Sequence, residues 1–264
     1  MPYFSKDELA TLRQTFEREG YLVFPNLVPR AELAALRTRV LGEFERTRHS
    51  GELFQGGGSI SGHLNCFPGV TSRFAYEALC ERGILDVIAA VHPKQVRANH
   101  VGCNINIPGS APQHYHIDGL WAQDFMIANV AVVDTDLVNG AIDLLPGTHK
   151  KFYRYWQFSV DRLPERSRRI SMKQGDVLIR TSRLWHRGMP NHSTVPRPMF
   201  AVTFSEEDTG DPFMKNEGKI NFYENWYKTN LLGRLSERTF VAAPFTYNAW
   251  RFVRSMFTDK GYAA

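Results

Sequence analysis

The second half of the chain constrains its fold most. From Val96 onward, short runs rich in β-branched and aromatic residues follow one another: "VGCNINI" (101–107), "MIANVAVVDT" (126–135), "DVLIRT" (176–181) and "PMFAVTF" (198–204). Turn-forming residues separate or flank them, with "NG" at 139, "PG" at 146, "QGD" at 174 and "PNHST" at 190. Parallel strands need a crossover of a dozen or more residues, usually helical, whereas antiparallel strands need only turns. Strands in such close succession therefore predict an antiparallel sandwich or barrel rather than a βαβ sheet.

The first half reads differently. "SKDE" at 5–8 has the form of a capping box, with Leu9, Leu12 and Phe16 behind it at helical spacing and Gly20 to close the helix. "YLVFPNLV" reads as a short buried strand. Pro29 then opens a second helix whose Leu33, Leu36, Val40 and Phe44 share one stripe. The glycine-rich run "FQGGGSISGHLNCFPG" (54–69) predicts a loop, either a plain connection or a cover over a site, and "NFYENWYKTNLLGRL" near the end reads as helical. There is no internal repeat, low-complexity tract or linker. The expectation is one domain over 1–264, mainly β with helical decoration, its barrel spanning roughly 96–205 with helices before and after it.

Composition narrows the function. A hydrophobic fraction of 43% supplies a sizeable core. The longest apolar run, "MIANVAVV" (126–133), is too short to cross a bilayer, and the start lacks a basic region followed by an apolar stretch. Cys66, Cys80 and Cys103 are odd in number and scattered, which suits buried thiols in a reducing, cytoplasmic setting and no disulfide framework. The net charge of +5 comes without a zinc-finger spacing or a recognition-helix pattern, so neither a nucleic acid nor a membrane is the expected partner. The densest basic cluster, "RLPERSRRISMK", fits a solvated face, with an anionic substrate as the functional alternative.

"QHYHIDGLW" (113–121) carries the chemistry. On an extended strand, side chains at i and i+2 project from one face, so His116 and Asp118 would point into the same space. Two histidines and one carboxylate form the facial triad that holds non-haem iron and leaves its other positions open. The third ligand must come from a distant strand, and His186 in "LWHRGMPN", just after "GDVLIR", is the candidate. Arg197 stands eleven residues later, across a turn-rich segment, where a planar guanidinium could grip a carboxylate with two parallel hydrogen bonds. His114 is expected not to be a ligand, because a fourth protein ligand would close the open positions. Two rival readings use the same region. A cupin-type metal protein would take His114, His116 and His149, although the glutamate expected soon after paired histidines is missing. A sugar- or peptide-binding jelly roll would need no metal.

Four blocks in order resemble the phytanoyl-CoA dioxygenase family of Fe(II)- and 2-oxoglutarate-dependent oxygenases. They are "FEREGYLVFPNLVPRAELAALR", "QHYHID", "NGAIDLLPGTHK" and "GDVLIRTSRLWHRGMPNHSTVPR", together covering roughly residues 8–205. The resemblance implies a double-stranded β-helix, a jelly-roll or cupin-like barrel. It implies iron held by His116, Asp118 and His186, and 2-oxoglutarate held at its distal carboxylate by Arg197. It makes Gln113 and Thr135 further candidates for contact with the cosubstrate. Relatives often carry a serine two residues after the distal histidine, but Gly188 stands there, and Thr148 replaces a serine in the third block. His63, Tyr115, Trp121 and Trp185 are candidates for the substrate pocket, each with a plainer reading as core or surface.

The implied activity is oxidation of a C–H bond in a small metabolite, with O2 and 2-oxoglutarate consumed and succinate and CO2 released. Hydroxylation is the expected outcome, in a biosynthetic or catabolic setting, by a monomer or homodimer. Halogenases of this broad group have Gly or Ala at the carboxylate position, so Asp118 points away from halogenation.

Overall fold

A computed structural model describes residues 3–50, 58–94, 96–222 and 230–259. Helix α1 (Lys6–Glu19) starts at the capping box, where the Ser5 side chain accepts from the Glu8 amide and Glu8 reaches back to the Ser5 amide. It ends at Gly20, whose left-handed backbone (φ 83°) suits glycine. Strand β1 (Tyr21–Phe24) follows, then α2 (Arg30–Ser50), whose buried stripe contains Leu33, Leu36, Val40 and Phe44 as the spacing requires.

The run expected to loop at 54–69 departs from that expectation. Residues 54–57 lie outside the described residues, but His63–Phe67 forms strand β2, its edge paired with a later strand from Cys66 to His63. Alternation hides this strand among the turn residues, because Leu64 and Cys66 face apolar core while Asn65 faces the other way. Helices α3 (Arg73–Glu81) and α4 (Ile84–Val91) then pack on each other, α4 against α1, and share one core with α2. Strands β3 (Arg97–Asn106), β4 (Met126–Ala131) and β5 (Ile142–Leu144), helix α5 (Tyr155–Val160), and strands β6 (Arg168–Ile170), β7 (Val177–Thr181), β8 (His186–Arg187) and β9 (Arg197–Ser205) build most of the barrel. Strand β10 (Asn221–Phe222) and helices α6 (Leu231–Ala242) and α7 (Pro244–Phe257) follow; of the predicted helical tail, 223–229 lies outside the described residues.

The strands form a jelly roll. The larger sheet has the order β1-β7-β4-β9-β3-β2-β10 and is antiparallel throughout, while β6-β5-β8 make a smaller sheet. The larger sheet reaches beyond 96–205, since β1, β2 and β10 extend it at both edges. Its two faces differ sharply. Val101, Cys103 and Ile105 of β3, Met126, Ala128 and Val130 of β4, and Phe200, Val202 and Phe204 of β9 join the helices in one apolar core. The intervening residues line a cavity between the sheets: His100, Gly102 and Asn104 on β3, Ile127 and Asn129 on β4, Arg180 on β7, and Arg197, Met199, Ala201 and Thr203 on β9. Residues on one face of a strand recur every second position, so a run that looks uniformly apolar can present a polar set to one side. Among the described residues no helix is long and apolar enough to cross a membrane.

Candidate metal centre and its cavity

The "QHYHID" segment is extended but forms no full strand. It makes one antiparallel bridge, in which the amides of His116 and His186 donate to each other's carbonyls at 3.0 and 2.9 Å. The Asp118 amide donates to the Ser182 carbonyl at 3.0 Å. This pairing sets the imidazoles side by side, 4.4 Å between ring centroids. One ligand-type atom from each of His116, Asp118 and His186 lies within 4.8 Å of the others, a spacing at which a single metal ion could be held.

The side chains are oriented for that purpose. Nδ1 of His116 contacts the His114 carbonyl at 2.8 Å and Nδ1 of His186 the Leu184 carbonyl at 2.9 Å. A neutral imidazole donating from Nδ1 presents an unprotonated Nε2, the form a metal requires. Burial lowers the pKa of both rings, and neighbouring Arg180 lowers that of His186 further. The 3.6 Å approach of His186 Nε2 to Asp118 Oδ2 is therefore no ion pair, but two acceptors facing one point. Burial alone would raise the Asp118 carboxyl, but the Arg180 guanidinium beside it more than offsets this and holds it below the usual carboxylate range. Arg180 Nη1 donates to Asp118 Oδ2 at 2.5 Å, and Asp118 keeps 26% of its side-chain surface open toward the cavity.

Arg197 lines the same cavity, buried on β9. Its Nη2 donates to the Gly140 carbonyl at 3.0 Å and its Nε approaches that of Asn139 at 3.5 Å. Gly140 sits at φ +93°, where a Cβ would overlap Asn106 Nδ2 and the Met189 carbonyl. Among the described residues no carboxylate pairs with Arg197. Burial draws its pKa down to about 10, so the cation persists at neutral pH and faces the cavity uncompensated.

Other candidate residues separate. Gln113 lines the cavity, its Oε1 accepting from the Gly188 amide at 2.8 Å. His63 is buried with Nε2 2.7 Å from the Ala111 carbonyl. These two explain the missing serine: a Cβ on Gly188 would come within 2.7 Å of Gln113 Oε1 and 2.8 Å of His63 Cε1. Thr135 is not among the cavity-lining residues; it bridges to Met172, with its hydroxyl on the Met172 carbonyl. Tyr115 and Trp185 turn away because they alternate with His116 and His186, and they pack with Ile117 and Phe158 in an apolar cluster behind the site. The Tyr115 hydroxyl donates to Asp143 at 2.6 Å. Trp121 lies at the edge of that cluster under the Arg183 guanidinium, 5.0 Å from its ring centre. His114 contacts Phe240 and Tyr247 of the C-terminal helices. His149 packs against Phe16 of α1, so the set His114, His116 and His149 required by the cupin reading is not brought together. Sequence reasoning missed Arg180, Asn129, Asn104 and Asn65. Their signal was a polar residue recurring at alternate positions within β-runs, above all an arginine inside "DVLIRT".

The architecture is that of the non-haem iron, 2-oxoglutarate-dependent oxygenases. Its solved neighbours include the carbocyclase SnoK of nogalamycin biosynthesis (17% identity, 78% of this chain and 85% of that one, TM-score 0.60). The epimerase SnoN of the same biosynthesis (18%, 86% and 95%, 0.59) and EctD from S. alaskensis with bound Fe (15%, 77% and 77%, 0.57) are similarly alike. Identities this low show the fold alone. In sequence, a probable alpha-ketoglutarate-dependent hypophosphite dioxygenase from Stutzerimonas stutzeri is 26% identical over 148 residues, 47% of this chain and 50% of that protein. The match thus spans half the length of that relative. The pattern of the phytanoyl-CoA dioxygenase family matches residues 16–199. The chain belongs to the phytanoyl-CoA dioxygenase family.

Three histidines outside the triad also set a pH dependence. Burial pulls His63, His100 and His149 down to about 4. A histidine kept neutral by folding gives stability that is complete above its unfolded pKa near 6.5 and lost as pH falls toward the folded value. The urea midpoint of metal-free protein is expected to be flat above about pH 7. It should decline between pH 6.5 and 4, by at most about 1.4 kcal/mol per pH unit per histidine. A midpoint that rose on acidification through this window would contradict the neutral assignment.

Proposed function

We propose that this chain is one catalytic domain that uses Fe(II), 2-oxoglutarate and O2 to hydroxylate a C–H bond of a small metabolite, releasing succinate and CO2. One observation carries the reading: a buried arginine with no carboxylate partner among the described residues shares a cavity with two imidazoles and a carboxylate spaced for one metal. The donor set fits iron, since imidazole and carboxylate suit it and three protein ligands leave open positions. His116, Asp118 and His186 would hold the ion, and Arg197 would take the distal carboxylate of 2-oxoglutarate. Gln113 would stand beside the cosubstrate. Bound iron supplies the activation of O2 that no side chain can.

The chain's own residues do the rest. The carbonyls of His114 and Leu184 fix the imidazole tautomers. Arg180 holds Asp118 ionised and in place. The apolar cluster behind the site and the core beneath the sheet keep water away from the cavity walls. A cavity of about 380 Å³ must admit cosubstrate and substrate together, which favours a small substrate. Support for small-molecule chemistry comes from the relatives, whose names refer to hypophosphite and to nogalamycin biosynthesis. A cytoplasmic enzyme is the setting that fits the three unpaired cysteines. The test is substrate-dependent formation of succinate from 2-oxoglutarate across a panel of small metabolites; a protein that never turns over 2-oxoglutarate contradicts the proposal.

Arg197→Ala is expected to raise KM for 2-oxoglutarate by at least about 30-fold, the loss of a buried charge-assisted pair worth about 2–5 kcal/mol. Iron content should stay unchanged. Arg197→Lys should restore only part, because a point charge cannot reproduce the fork. Unchanged dependence on 2-oxoglutarate in the alanine variant would show that another group is the anchor.

With Asp118 as a ligand, the place a halide would take on the iron would be filled. Turnover in high chloride or bromide is therefore expected to give only oxygenated or otherwise non-halogenated product by mass spectrometry. A halogenated product from the unmodified enzyme would remove Asp118 from the ligand set.

A further inference from the structure

We infer that Arg180 makes this cavity a site for a small monoanionic substrate, one whose carboxylate or tetrahedral phosphorus oxyanion docks on the Arg180 guanidinium. The inference rests on the iron and 2-oxoglutarate reading above and names the substrate class for that site.

Arg180 stands next to the end of β7, paired across the sheet with Ile127 on one side and Tyr21 on the other. It is 5% exposed. Nη1 is taken by Asp118 and Nε donates to Asn129 Oδ1 at 3.1 Å. Nη2, with two further donors, has no hydrogen-bond partner among the described residues, while the side chain lines the cavity. A group needed only to steady Asp118 would require one donor. The spare nitrogen of Arg180 is not sealed off from solvent, so an acceptor entering the cavity can gain charge-assisted bonds from it.

Charge counting points the same way. The charged side chains lining the cavity are Asp118, Arg180 and Arg197; its histidines are neutral. The walls thus carry one net positive charge. A ferrous ion adds two and the 2-oxoglutarate dianion removes two, so the loaded cavity returns to one net positive charge. Arginine does not deprotonate to relieve it. A monoanionic substrate neutralises the charge, and a neutral one leaves it buried and unpaired. With Arg197 occupied by the cosubstrate, Arg180 is the remaining cation that can receive it. The polar side chains around it, Asn129 and Thr203 among them, line the same sheet face and suit an oxyanion's remaining lone pairs.

The test is calorimetric titration of the full-length Fe(II) protein, without oxygen and saturated with 2-oxoglutarate so that Arg197 is filled. The probes are propionate against propionamide, and methylphosphonate monoanion against dimethyl methylphosphonate. Uptake of iron and 2-oxoglutarate is measured first. A failure there overturns the catalytic reading and this one with it, whereas a failure confined to the probes overturns the role of Arg180 alone. The wild type is expected to bind at least one anion and to bind its neutral counterpart at least about tenfold more weakly. The carboxylate and phosphonate arms show which oxyanion is preferred. Arg180→Gln, which keeps a donor for Asp118, should lose at least about tenfold in anion affinity while binding 2-oxoglutarate within about threefold of wild type. Arg180→Lys should recover part of the anion binding. Equal binding of anion and neutral partner, no anion bound at all, or undiminished anion binding by Arg180→Gln would each overturn the inference. Should Arg180→Gln fail to hold iron, the anion preference of wild type and Arg180→Lys decides.

Discussion

The backbone bridge between His116 and His186 is the contact on which the candidate site depends. Two hydrogen bonds at 2.9 and 3.0 Å join segments seventy residues apart in sequence and fix their register. A slip of one residue would exchange His116 for Tyr115 or Ile117 and send the imidazole into the apolar cluster behind. The register is held from both sides. Tyr115 donates its hydroxyl to Asp143 Oδ2, and the Nε of Arg187 donates to the same oxygen at 3.1 Å. One buried carboxylate thus ties down the neighbours of both histidines.

From that bridge the rest of the arrangement follows by alternation. The larger sheet buries one face against the helices and turns the other toward the cavity, and the polar residues fall on the second face. Such a face is costly to keep in a protein interior unless something satisfies it. Arg197 and Arg180 are the sharpest cases: each is bonded only in part to the protein, and with Asp118 paired to Arg180 the charge of Arg197 is left unbalanced by the cavity walls. The same geometry explains why Gly188 replaces the expected serine, since Gln113 and His63 already fill the space.

How much of this was legible depended on how local its cause was. The helices of the first half announced themselves through a capping box and an apolar stripe, both local signals. An antiparallel sandwich or barrel was visible in strand runs separated by turns, and its jelly-roll form followed from the resemblance carried by four ordered blocks. Strand β2 was lost because its partner, β3, supplies what its own glycine-rich surroundings do not suggest. In the site, spacing offers His116, Asp118, His186 and Arg197 as candidates, and the structure brings them to one cavity, whereas Tyr115 and Trp185, standing next to two of them, read equally as pocket wall or core. Alternation sends them the other way, and Thr135 is drawn off by its pairing with Met172. Arg180 escaped because its partner Asp118 lies sixty-two residues away, and only the folded sheet brings them together.

The measurement that bears most directly on the account is anaerobic titration of the metal-free protein with Fe(II) and then 2-oxoglutarate, followed by calorimetry and by the visible charge-transfer absorption of a 2-oxoglutarate chelate. The account predicts one iron and one 2-oxoglutarate per chain, with the absorption appearing only when both are present and abolished in His186→Ala. Iron binding that survives His186→Ala unchanged, or 2-oxoglutarate uptake that gives no such absorption with iron in place, would contradict it.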